Sequence, residues 1–85
     1  MGLREFLQVI DARGERVDVA LARAEKFVDA AIHEGITAVW LIHGHGTGAL
    51  RAAVREHFSG APGVNRQYPA AQQDGGDGVT VLDLG

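Results

Sequence analysis

The sequence predicts an α/β fold: a two-layer sandwich with a four-stranded mixed sheet in β-α-β-α-β-β order and two helices packed on one face. Three observations predict it. Apolar residues recur at helical spacing in two stretches, Val17 to Ile32 and Leu50 to Phe58, as they do on a helix that buries one side. Between these stretches Val39, Trp40, Leu41 and Ile42 run in unbroken apolar order, the pattern of a strand covered on both faces. Finally, 85 residues with 46% hydrophobic and 22% charged content suit one compact domain with one modest core.

Residues 1–7 read as a linker stub and residues 8–85 as the single domain. Gln8 to Asp11 is a short first strand. Val17, Ala20, Leu21, Ala24, Phe27, Val28, Ala31 and Ile32, with charges between them, make an amphipathic helix from Asp18 to about Glu34, which Gly35 ends. Thr37 to Ile42 is the second strand, with Trp40 in the core. A second helix spans 47–58, capped by Thr47 or Gly46, and stops near Ser59 to Gly63. Val64 to Tyr68 is a weak third strand, Ala70 to Asp77 a polar glycine-rich loop in which Asp74 and Asp77 shape the turn. Val79, Val81 and Leu84 carry the last strand. His33 and His57 sit late in their helices, where an imidazole suits the helix dipole.

Strands joined through helices run parallel, and the last two, joined by a short loop, run antiparallel. One edge of the sheet therefore collects three loops: Ala12 to Arg16, the glycines after the second strand, and Gln72 to Gly78. Open α/β sheets bind ligands beyond the carboxyl ends of their parallel strands. Asp11, Arg13, His43, His45 and Gly76 are thus expected to share one cleft.

The stretch VWLIHGHGTGALR, Val39 to Arg51, is the most informative. Gly44, Gly46 and Gly48 let the backbone approach a ligand closely, and the helix that follows begins with unpaired N–H groups. Such a place attracts phosphate. Arg51, one turn in, adds a planar donor, and His43 and His45 flank the loop with side chains able to move protons near neutral pH. The competing bland reading is that these glycines serve only to let the following helix pack closely on the sheet. A dinucleotide fingerprint is formally met by Gly44, Gly46 and Ala49, but Val64, Asn65 and Arg66 stand where it needs an acidic residue. No Gly-Lys-Ser/Thr follows, which excludes a Walker-type loop.

Charge and composition narrow the classes. A net charge of −3 argues against gripping nucleic acid by bulk electrostatics. Arg13, Arg16, Arg51 and Arg55 nevertheless gather beside the glycine motifs, whereas Asp18, Glu25, Asp29 and Glu34 mark the first helix. With no cysteine there is no thiolate catalysis. No apolar run is long enough for a membrane span and no signal-peptide pattern is present, so the expected location is cytoplasmic, without membrane association.

HGHGTGALRAAVREHF resembles the H-G-x-G-x-G-x-L-R signature of the Smr (small MutS-related) domain. Ile10-Asp11-Ala12-Arg13-Gly14 resembles that family's L-D-L-H/R-G segment, Arg16 to Phe27 its first helix, and Gly75 to Val81 its final glycine-rich entry into a strand. The likeness runs from about Gln8 to the C-terminus and is greatest to the Smr domain of the second bacterial MutS-type family. It implies nicking of DNA in recombination or repair, or cleavage of RNA, with the D-x-H/R and H-G-x-G segments as functional sites. The implied partners are DNA or RNA and the rest of a longer MutS-type chain; the isolated domain is expected to be a monomer.

Departures from the family pattern bear on activity. Arg13 stands where many relatives carry His; it binds charge but cannot shuttle protons at neutral pH. His45 is a partial substitute. Two-metal chemistry needs several carboxylates, and only Asp11, with Glu15 or Asp77 as additions, is offered. Asp11 could hold one divalent ion, Mg or Mn. A scheme with one metal or none asks for less: Asp11 to orient, His43 to move a proton, Arg13 and the loop amides to hold charge. The expected catalytic set is Asp11, Arg13 and His43. The phosphate-binding set is Gly44, His45, Gly46, Thr47, Gly48, Arg51, Arg16, Arg55 and Gly76. Bland alternatives stand beside these: Asp11 as a turn cap, His43 as a core histidine bonded to backbone, and the whole as a non-catalytic nucleic-acid or ribosome-docking module.

Overall fold

A computed structural model describes residues 7–85; the stub expected at 1–7 lies, save Leu7, outside the described residues. The chain runs β1 (Leu7–Asp11), α1 (Val17–His33), β2 (Ala38–Ile42), α2 (Ala49–Phe58), β3 (Arg66–Pro69) and β4 (Val79–Asp83). The sheet order is β1-β2-β4-β3, with β1 and β2 parallel and both neighbours of β4 antiparallel to it.

Strand pleating explains the two layers, since successive side chains point to opposite faces. Ile10, Val39, Leu41 and Leu82 point one way and meet Ala24, Val28 and Ala31 of α1 and Val54 and Phe58 of α2. Both helices thus cover one face, as right-handed crossovers require. Leu41 and Leu82 are fully buried; burying such a side chain stabilises a fold by about 1.5–3 kcal/mol.

The opposite face is only partly covered, which corrects the expectation of a β2 buried on both sides. Trp40 and Ile42 are half-buried against Ala70, Val79 and Val81, while Val9 in β1 and Tyr68 in β3 are exposed. The third strand also shifts. Val64 packs into the core from a turn, Asn65 N donates to Asp83 O at 2.7 Å, and pairing starts only at Arg66. Pro69 ends that strand, which is allowed because β3 is an edge. Residues 72–78 are not loose: they form two 3₁₀ turns, Gln72–Asp74 and Gly76–Gly78.

Candidate phosphodiester site at the loop edge

Three loops meet where expected, beyond the ends of β1 and β2 and before β4. A cavity of about 150 Å³ is lined by Arg13, Ile42, Gly44, His45, Gly75, Gly78 and Val79, which takes residues from all three. A second, of about 210 Å³, lies on the helix side and includes Glu15, His43, Thr47 and Arg51. Gly44 borders both. The single cleft expected from the sequence is therefore divided, and the glycine loop runs between these two parts.

The division follows from the pleat. Asp11 pairs in register with Ile42 and shares the open face with it. His43, one residue further, turns to the helix side and reaches Thr80, which pairs with Leu41. Asp11 and His43 thus leave the same edge from opposite faces, and the expectation that both close on one phosphate is corrected.

On the open flank, Asp11 and Arg13 form a closed pair. Asp11 Oδ1 accepts from Arg13 N at 3.1 Å and Nε at 2.9 Å, and Oδ2 from the terminal guanidinium nitrogen at 2.7 Å. The turn-cap reading of Asp11 therefore holds together with an ion pair. The Arg13 hydrogen bonds hold the Asp11 carboxyl at about 2, below its ordinary 3.8, and the same pairing raises Arg13. Arg13 lies over the loop: a Cβ on Gly44 would sit 3.4 Å from its Cγ. His45 is exposed, lies against Gly78, and has no hydrogen bond or ion pair among the described residues. A notch of about 360 Å³ beside it is lined by Gln72, Gly76 and Asp77.

The loop itself supplies donors. Gly44 N donates to Gly78 O at 2.9 Å, but the amides of His45, Gly46, Thr47 and Gly48 have no backbone acceptor among the described residues. Gly48, at φ +85°, is the N-cap of α2, so the helix begins two residues later than expected. Thr47 Oγ1 accepts from Ala49 N at 3.3 Å, a capping contact from outside the cap position.

Several expected phosphate ligands are otherwise occupied. The Gly76 amide donates to Ala71 O at 3.0 Å and has no proton to offer. Arg16 pairs with Asp18 at the start of α1 and borders none of the three cavities. Arg55 points inward, with Nε 3.4 Å from Thr80 Oγ1 and a terminal nitrogen 3.5 Å from Asp77. Arg51 folds over Gly48 and lies 3.9 Å from the same Asp77, so Asp77 bridges two arginines rather than only shaping its turn.

His43 is 6% exposed, with Nδ1 3.1 Å from Gly44 O and Nε2 2.8 Å from Thr80 Oγ1. Burial, partly offset by the Gly44 carbonyl and assisted by Arg55, Arg51 and His45, pushes its pKa down. Thr80 was missed in the sequence. The available signal was alternation: two residues before Leu82, it is a polar group on the core face and needs a partner.

A divalent ion fits this donor set poorly. Both Asp11 oxygens are taken by Arg13, and among the described residues no three His, Asp or Glu side chains converge as ligands.

The comparisons with known proteins agree with this geometry. The Smr domain family model matches residues 10–85. The chain belongs to the Smr domain family. This Smr domain is 41% identical over 75 residues to the endonuclease MutS2 of Anaeromyxobacter sp. (strain Fw109-5), covering 88% of this chain and 9% of that protein. It is 44% identical over 82 residues to the endonuclease MutS2 of Synechocystis sp., covering 96% of this chain and 10% of that one. It thus spans about a tenth of the relatives it matches. The crystal structure of the Smr domain of Thermus thermophilus MutS2 superposes with a TM-score of 0.88 at 37% identity, covering 92% of this chain and 98% of that one. Among the described residues no helix is long and apolar enough to cross a membrane.

Proposed function

We propose that this Smr domain is a nicking endonuclease module of a longer MutS2-type chain, acting on DNA or RNA through the phosphodiester backbone and without sequence preference. The observation that carries it is the glycine loop with its two sides: the Asp11–Arg13 pair and the His45 imidazole, unbonded among the described residues, border the open flank, while Gly46, Thr47 and Gly48, whose amides have no acceptor among the described residues, line the helix-side cavity with Arg51. Amides and a helix start seat a phosphate oxygen. Arg13, held flat by Asp11, presents its remaining donors to the charge that builds on phosphorus. Asp11, at about 2, stays ionised and is a poor proton acceptor near neutrality, so its role is to orient Arg13. His45 is the free imidazole for proton transfer. Backbone contacts carry no sequence information, which fits nicking without preference. Recombination or repair is the setting for a DNA substrate, and the cytoplasm the expected location.

A second reading, a nucleic-acid or ribosome-docking module without catalysis, is favoured by the pairing of Asp11 with Arg13 and the enclosure of His43, the two groups expected to do chemistry. Plasmid nicking and RNA cleavage, each with and without chelator, separate the two. Wild type should cleave, with Arg13→Ala and His45→Ala strongly impaired. Wild type that binds polynucleotide but cleaves neither substrate supports docking. Loss of cleavage in chelator would show that a divalent ion takes part despite the poor donor set.

A further inference from the structure

His43 is the most enclosed titratable side chain at the loop edge, and its surroundings determine its proton. A carbonyl oxygen only accepts, so Nδ1, 3.1 Å from Gly44 O, carries a hydrogen. A guanidinium only donates, so Arg55 Nε, 3.4 Å from Thr80 Oγ1, fills a lone pair of that hydroxyl. Thr80 is fully buried, and among the described residues its hydroxyl proton has one acceptor in reach, Nε2 of His43 at 2.8 Å. The chain of donation runs Arg55 to Thr80 to His43 to Gly44, and every member is satisfied with a neutral imidazole. The Arg55 carbonyl is itself fastened by Gln67 Nε2 at 2.7 Å.

We propose that Thr80 and Arg55 are positioning residues that lock His43 as the neutral Nδ1–H tautomer, so that His43 shapes the phosphate-seating loop and transfers no proton. Gly44 is then held at both ends of its peptide groups, its N–H by Gly78 O at 2.9 Å and its carbonyl by His43. Its φ of +79° turns the chain there, and the four amides that follow are aimed by that turn. The charged groups around the ring agree. Arg55 and Arg51 face it from α2 and His45 from the loop, all disfavouring a second proton. Glu15, lining the same cavity from the β1–α1 connection, is paired with Arg23, and Asp77 is paired with the two arginines.

The inference rests on the loop being the phosphate seat, and its test reads protonation and binding without cleavage. Long-range ¹⁵N–¹H spectra of the whole chain between about pH 5 and 8 should show His43 protonated at Nδ1 and bare at Nε2, hardly titrating where a free imidazole would. Thr80→Val, which keeps shape and loses the hydroxyl, should release the tautomer. It should also weaken binding of a fixed oligonucleotide about two- to tenfold, the net contribution of one hydrogen bond expressed as an equilibrium constant. Thr80→Ser should restore both. Arg55→Gln should raise the titration midpoint of His43. A wild-type His43 protonated at Nε2, or a Thr80→Val protein with unchanged spectrum and affinity, overturns the proposal. Should Thr80→Val fail to fold, the wild-type spectrum and Arg55→Gln still decide. A wild type that cleaves nothing, with the tautomer locked and Thr80→Val binding weakly, supports the positioning role and defeats only the endonuclease reading.

Discussion

His43 and His45 stand on either side of Gly44 and have the same side chain, yet the fold treats them in opposite ways. His43 is buried with both ring nitrogens engaged; His45 is exposed with neither engaged among the described residues. Both lie past the end of β2 and, two residues apart, would share a face on a continued strand; the turn at Gly44, with φ +79°, parts them, and here one face is sealed by two helices while the other stays open. The role of an imidazole at this edge is set by the layer it enters. A group whose protons and lone pairs are all committed inside the fold is part of the frame; one with both nitrogens free is available to a substrate.

The largest expected effect breaks the two histidines apart. His45→Ala should lower the cleavage rate by about 10²–10⁴, the usual loss on removing a general acid or base, while moving stability by no more than ~0.5 kcal/mol, as exposed substitutions do. His43→Ala should instead cost about 1–3 kcal/mol, because it leaves the buried Thr80 hydroxyl without its acceptor. Nicking rates and thermal unfolding on the same two proteins check this. Equal stability losses would erase the distinction between frame and free group.

The same contrast extends across the sheet. Leu41, 1% exposed under the helices, should cost about 2–5 kcal/mol on truncation to Ala. Val9, 51% exposed on the other face, should cost within ~0.5 kcal/mol. Denaturant midpoints for the pair test it, and a Val9→Ala loss as large as that of Leu41→Ala would mean the open face is structurally occupied.

Most of the fold is legible in the sequence because periodicity reports burial directly. Val17 to Ile32 and Leu50 to Phe58 repeat at helical spacing, and α1 and α2 appear within two residues of the expected limits. The third strand is misplaced because Val64, apolar and β-branched, fits a strand by composition but packs from a turn. The site is less legible. That three loops share an edge follows from topology, but which side of that edge a residue faces depends on the pleat at the last strand residue. One position separates Asp11 from His43 in register, and that is enough to part them. The partners of Arg55 are unreadable for another reason, since it stands 25 residues from Thr80 and 22 from Asp77 in sequence, and polar pairing at such range leaves no local pattern.

Acid titration should distinguish the flanks in pH. His43 has a lowered pKa, so the unfolded chain binds its proton first. Its contribution to stability is complete above the ordinary 6.5 and is lost as pH falls toward the depressed folded value. Asp11 is lowered to about 2 from 3.8, so its contribution is complete above 3.8 and is lost as pH falls through about 2. Between pH 7 and 5, stability measured by denaturant should therefore fall in wild type and Asp11→Ala alike, and fall less in His43→Ala. A His43→Ala protein with the wild-type slope over that range would assign the titration elsewhere.

The smallest effect concerns the arginines. Arg51 borders the loop cavity at the start of α2, and Arg16 sits on Asp18 outside it. If phosphate is seated on the free amides, Arg51 lies beside it and releases a counterion on binding. Arg51→Ala should then flatten the salt dependence of oligonucleotide affinity by about one ion, alike for all sequences. The true change should fall somewhat short of that, because Asp77 lies 3.9 Å from Arg51 and already offsets part of its charge. Arg16→Ala should leave the slope nearly unchanged, which makes it the matched control for a lost surface cation. Affinity measured across a series of salt concentrations for the two variants decides the matter. Equal slopes would place the nucleic-acid backbone off the α2 start, and would leave the glycines to the close packing of helix on sheet.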